Sequence, residues 1–150
     1  MEENTCCNAA ALLTLLEQCR EFYSSVALKG LDTSRAPANV YLLHTLSAIE
    51  EYRAAFPDAK PAAINDDQLL SLKYFREHLK RGAPTETMDP ETLRKEALHL
   101  TQDAVLLLTE LWSGSRDPHC QQVLHGLLDR KKKFLVSLLD EKTINAQQSL

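Results

Sequence analysis

The chain has 150 residues, 44% of them hydrophobic and 25% charged, with four Gly and six Pro; this describes one globular domain spanning 1–150 and excludes a disordered or collagen-like chain. So little Gly and Pro leaves too few turns for an all-β sandwich, which needs one every ~8–12 residues, and points to a few long helices. The balance of 17 basic against 21 acidic residues, a formal charge of -4, gives no ground for expecting nucleic acid or an anionic membrane as a partner. Met1–Asn8 lacks a basic leader region, and no apolar run approaches the ~18 residues of a membrane span, so the expected location is cytoplasmic.

Apolar residues recur at helical spacing in five segments, each bounded by start or stop signals. The first is predicted from about Asn4 to Lys29, with Leu12, Leu16, Cys19, Tyr23 and Val26 on its inner stripe and Gly30 after its end. The second is predicted to follow Pro37, carries Leu42, Leu46, Ile49, Tyr52 or Arg53, and Phe56, and closes at Pro57. The third starts near Asp66, shows Leu69, Leu72, Phe75 and Leu79, and stops at Gly82. Asp89-Pro90 is an Asp N-cap followed by Pro at the first helical position, where its missing N–H costs nothing. The fourth segment then carries Leu93, Ala97, Leu100, Thr101, Ala104, Leu107, Leu108 and Leu111 until Gly114. Asp117-Pro118 repeats the start signal, and the fifth segment shows Val123, Leu124, Leu127, Lys131, Phe134, Leu135 and Leu138 before a polar tail, 143–150, expected to fray.

Gly30, Gly82 and Gly114 fall at predicted helix ends, where a residue at positive φ is expected. Gly126 alone lies inside a helix, where it would let another helix approach. Two antiparallel helical hairpins joined by a long crossover, which contains a helix of its own, make an all-α four-helix bundle with an additional crossover helix, the topology of ferritin-like folds.

Three short stretches carry a family likeness: Glu21-Phe22-Tyr23, Asp103-Ala104-Val105 and Asp117-Pro118. With them the chain resembles a rubrerythrin-type member of the ferritin-like superfamily over roughly residues 5–141. The two halves also resemble each other, as that family's internal repeat requires. Setting Tyr23 against Leu108 pairs Leu12 with Ala97 and Cys19 with Ala104; setting Tyr52 against Phe134 pairs Leu42 with Leu124 and Phe56 with Leu138. The resemblance implies a Glu on the first helix of each hairpin and a Glu-x-x-His on the second, together holding two iron or manganese ions.

Carried over position by position, that ligand set is vacant. The first Glu falls on Leu16, and its Glu-x-x-His on Ile49 and Tyr52; in the second hairpin the positions fall on Thr101, Lys131 and Phe134. Iron and manganese need several carboxylates and imidazoles converging on them, and Leu, Ile and Phe offer no ligand atom. No metal and no cofactor is therefore expected at the family site, and its oxidase, peroxidase and storage chemistry is not inherited. Lys131 on an inner stripe needs a partner, Glu17 or Glu50, or a route to solvent along its stem. Nearly all carboxylates are expected to face outward.

Other constellations are read against plain structural roles. Glu96 and His99 form a Glu-x-x-His on one helix face, expected to be a solvated pair; with Glu50 and Glu51 they are the alternative ligands should a metal bind off the family positions. His44, His78, His119 and His125 are scattered and expected at the surface or its boundary. Cys6, Cys7, Cys19 and Cys120 contain no C-x-x-C and are expected to be reduced thiols, Cys19 buried; a Cys7–Cys120 contact is the oxidation-sensitive alternative. Arg130-Lys131-Lys132-Lys133 spreads around the helix circumference rather than forming a flat basic face, which argues against nucleic acid.

The expected function is therefore that of a non-catalytic interaction or regulatory module, a homo-oligomer with a dimer favoured, which meets an unknown protein partner through a face bearing Leu70, Tyr74 and His78. The alternatives are a divergent ferritin-like metal protein of iron or manganese oxidase, peroxidase or storage type, and a bundle holding a small apolar ligand beside Leu16 and Phe134.

Overall fold

The computed structural model describes residues 2–57, 70–80 and 84–148, with side chains described within 11–57, 73–80 and 84–140. Among the described residues all regular structure is helical, with no strand: α1 (Glu2–Lys29), α2 (Asp32–Ala55), α3 (Leu70–Lys80), α4 (Pro90–Gly114) and α5 (Pro118–Gln148). No helix there is long and apolar enough to cross a membrane.

α1 turns into α2 through Gly30-Leu31 alone. The joint needs glycine for space rather than for handedness. No described residue has a positive φ, glycine included, which corrects the expectation of left-handed glycines at the helix ends. Gly30 N instead donates to Val26 O at 2.8 Å, and a Cβ on Gly30 would collide with that same carbonyl oxygen. Gly114 is still helical, the last residue of α4, and a Cβ there would meet nothing within 4 Å. Gly126 faces the Glu51 side chain rather than another helix backbone, a Cβ standing 3.2 Å from Glu51 Oε1. Gly82 and the predicted third-helix start near Asp66 lie outside the described residues.

The second helix starts at Asp32, ahead of the predicted boundary, and Pro37 lies inside it. An interior Pro removes a backbone donor and crowds the carbonyl four residues back, at about 3 kcal/mol. Tertiary contact outweighs that cost: Ser34 and Ala38 are fully buried on either side of Pro37, and Ser34 Oγ donates to Met88 O at 2.7 Å. The two Asp-Pro starts behave as the sequence requires. Asp89 Oδ1 accepts from Thr92 N at 2.7 Å, and Asp117 Oδ1 from His119 N at 3.2 Å. α5 runs on to Gln148, past the predicted fraying point at Thr143; the stretch 143–148 is polar but holds neither Gly nor Pro to break a helix.

Cross-helix pairs set the packing. Tyr23 meets Tyr41 edge-on at 5.7 Å and Arg53 pairs with Glu17 at 2.7 Å, so α1 and α2 run antiparallel. Phe134 against Tyr41, Arg130 against Glu51 and His119 against Phe56 run α5 antiparallel along α2. α4 and α5 fold back on each other around the short joint at Ser115, and α3 lies against α4 and α1. Between them a continuous core holds Leu12 and Leu16 of α1, Tyr41 and Tyr52 of α2, Phe75 of α3, Leu93 and Leu107 of α4, and Leu124 and Leu138 of α5. Each such side chain contributes roughly 1.5–3 kcal/mol when fully buried.

Candidate functional site: the bundle centre and an α3–α4 pocket

The six positions where the family resemblance placed metal ligands lie on inward-facing parts of α1, α2, α4 and α5. Leu16, Ile49, Tyr52, Thr101 and Lys131 are all buried, and Phe134 packs against the same core. Thr101 Oγ1 donates to Ala97 O at 2.6 Å, so its hydroxyl serves its own helix. Phe134 is covered by His44, which lies flat on it, and by the edge of Tyr41.

Lys131 differs from its expected behaviour. It is 6% exposed, so it does not snorkel. Neither expected carboxylate pairs with it: Glu17 is engaged by Arg20 at 2.6 Å and Arg53 at 2.7 Å, and Glu50 is exposed. Burial lowers the Lys131 ammonium to about 8, with Cys19 raising it and Arg130 adding to the fall. Burial likewise pushes the Cys19 thiol up to about 12, Lys131 opposing and Asp103 reinforcing. Burial lowers the His44 imidazole to about 3, helped by Lys131 and Arg130. This region thus holds a buried amine and thiol and a half-buried imidazole, each pushed toward its neutral form, in place of a cluster of carboxylates.

The second constellation lies between α3 and α4. An open pocket of about 500 Å³ is lined by Tyr74, Glu77 and His78 of α3 and by Glu96, His99 and Asp103 of α4. Spacings of three and four residues put each trio on one helix face, and the packing of α3 on α4 brings the two faces together. His78 Nε2 stands 3.3 Å from Glu96 Oε2, His78 Nδ1 stands 3.6 Å from Asp103 Oδ2, and the His78 and His99 rings meet edge to face at 5.0 Å. Burial raises the Asp103 carboxyl above the usual carboxylate range, His78 and His99 pulling it back.

His99 is exposed, as expected of a solvated pair, but Glu96 is drawn in toward His78, and the Glu96 and Asp103 side chains, 19% and 18% exposed, do not face outward. Of the expected partner face, Tyr74 is exposed, His78 is turned into the carboxylates, and the Leu70 side chain lies outside the described residues. Glu50 and Glu51 do not join the cluster: Glu51 pairs with Arg130 at 2.9 Å. Among the described residues no group of three or more His, Cys, Asp and Glu side chains is placed to hold a metal ion. Glu96 and His99 act here as hydrogen-bonding and ring partners of His78.

The remaining candidates fall into structural roles. In the basic run, Arg130 bonds Ser47 and Glu51, Lys131 is buried, and Lys133 pairs with Asp129 at 3.0 Å. Cys19 and Cys120 are buried free thiols, while the Cys6 and Cys7 side chains, and with them any Cys7–Cys120 contact, lie outside the described residues. Sequence reasoning missed Glu77 and Asp103 as site residues. The signal was the helical spacing Tyr74, Glu77, His78 and Glu96, His99, Asp103; the register of α3 on α4 was not in it.

Fold and site together define an all-helical protein of two hairpins with α3 laid on α4 and α1. No protein-family model, curated protein or solved structure matches the chain.

Proposed function

We propose that this chain is a ferritin-like bundle of rubrerythrin type that keeps the helical scaffold without the di-metal centre and works as a non-catalytic interaction module, self-associating as a dimer. The observation that carries the reading is the filled centre: Leu16, Ile49, Tyr52 and Thr101 are packed core, and the buried Lys131 brings a positive charge where the family places metal cations. What such a bundle has left to act with is its surface. The α1–α2 surface supports this: Leu28, 74% exposed, lines a shallow pocket with Leu42 and Leu46, rimmed by Arg20, Glu21 and Lys29, and Leu43 of α2 is 66% exposed. An apolar strip edged by both signs of charge is self-complementary across a two-fold axis.

Elemental analysis of protein from iron- and manganese-supplemented cells tests the first half of the reading and is expected to find less than one metal equivalent per chain. Two equivalents, lost when Glu96 and His99 are changed to Ala, would overturn it. Light scattering during gel filtration tests the second half: a dimer is expected, converted to monomer by Leu28→Glu with Leu43→Glu, and a monomer at high micromolar concentration would refute self-association.

A further inference from the structure

His78 presents both of its ring nitrogens to carboxylates of α4, Glu96 on one side and Asp103 on the other. An ionised carboxylate only accepts hydrogen bonds, and a neutral imidazole carries one N–H and one lone pair. Neutral His78 therefore satisfies one neighbour and turns its lone pair on the other. Asp103 Oδ2 is buried and has no hydrogen-bond partner, which marks the side that is one proton short. Only with a second proton in the His78–Asp103 gap do both contacts become donor to acceptor, and a charge-assisted bond of this kind is about twice as strong as a neutral one.

We infer that His78, Glu96 and Asp103 form a proton-operated latch that fastens α3 onto α4. With the extra proton an imidazolium ties α3 to two α4 carboxylates; without it the ring donates to only one of them and turns its lone pair on the other, so the polar hold on α4 is weakened. The apolar side of α3 carries Phe75, which is buried, and Leu79, which packs against the core. Release of α3 thus uncovers apolar surface.

Among the described residues, further titratable groups lie near the His78, Glu96 and Asp103 cluster. On α3 itself Tyr74 and Glu77 line the same pocket, and on α4 His99 meets the His78 ring edge to face. On α1, Cys19 and Tyr23 are buried, and burial pushes both away from ionisation. Along the α1–α3 groove Glu21 shares a pocket with Arg76 and Lys80.

Amide hydrogen exchange along the whole chain tests the latch, read as the protection of α3 relative to α5 and corrected for intrinsic rates. On acidification from about pH 8 to about pH 6, α3 protection is expected to rise about three- to tenfold, with binding of an apolar dye falling in parallel. His78→Gln is expected to remove the rise. Asp103→Asn, whose amide donates to a neutral ring, is expected to keep α3 protected at both pH values, and it reads the same latch should the His78 variant not fold. Glu21→Gln and His99→Gln are expected to keep the rise. Equal α3 protection at the two pH values in the unaltered protein, or a rise that survives both His78→Gln and Asp103→Asn, would overturn the latch.

Discussion

His44 of α2 lies flat on Phe134 of α5, ring centroids 3.8 Å apart and planes 10° from parallel. Burial, helped by the neighbouring Lys131 and Arg130, holds the imidazole neutral, its pKa about 3 against an ordinary 6.5. A depressed pKa makes folding favour the neutral ring. The stability it supports is whole above about pH 6.5 and is lost as the pH falls toward 3. His44 keeps some solvent contact, which screens the effect, so about 1 kcal/mol is expected to disappear between about pH 7 and about pH 4. Urea unfolding across that range checks this, and His44→Phe is expected to flatten the acid limb by that amount.

Lys131 has the same sign on the alkaline side. Its pKa is lowered from 10.5 to about 8, so at neutral pH the fold carries the cost of a buried ammonium. That cost shrinks as the pH rises from about 8 toward 10.5, because the unfolded chain still binds the proton that the folded chain has lost. Stability is therefore expected to increase over that window. Lys131→Met, which keeps the stem and removes the charge, is expected to stabilise the protein at pH 7 by about 1–3 kcal/mol and to abolish the alkaline rise. Chemical unfolding at about pH 7 and about pH 9.5 reads both.

The glycines separate two kinds of constraint. A Cβ at Gly30 would run into the Val26 carbonyl oxygen that the Gly30 N–H itself bonds, whereas a Cβ at Gly114 would meet nothing within 4 Å. Gly30→Ala is expected to cost about 1–3 kcal/mol by forcing the α1–α2 joint open. Gly114→Ala is expected to be neutral or to stabilise by up to about 1 kcal/mol, since Ala loses less backbone entropy in a helix. Thermal unfolding of the two variants side by side gives the comparison directly.

What was legible in the sequence was whatever a local rule decides. Asp89-Pro90 and Asp117-Pro118 marked helix starts because capping and the missing proline N–H act within a single turn. The stripe Leu93, Ala97, Leu100, Thr101, Ala104 marked the buried face of α4 because that face faces one core. Pro37 misled because burial of Ser34 and Ala38 against distant segments outweighed a local preference. Lys131 misled because a charged residue on an inner stripe suggests a partner or an escape, and here it has neither Glu17 nor Glu50 beside it. The α3–α4 pocket was only half visible: two polar trios each lay on one helix face, and their meeting depends on tertiary register that no local spacing encodes.

Cys19 makes that tertiary environment measurable as reactivity. It is buried beside Lys131, and its pKa is raised from 9.0 to about 12. The thiolate is the reacting species, so a shift of that size lowers its population at neutral pH by about a thousandfold before access is considered. Cys120 is buried as well. In a variant with Cys6 and Cys7 changed to Ser, a thiol-reactive disulfide reagent is therefore expected to modify neither cysteine within the time that labels both in denaturant. The native reaction is expected to be at least about a hundredfold slower and to follow the opening of the bundle. Lys131→Met removes the charge that favours the thiolate and is expected to slow native labelling of Cys19 further; fast labelling of Cys19 in the native protein would contradict its burial in the bundle centre.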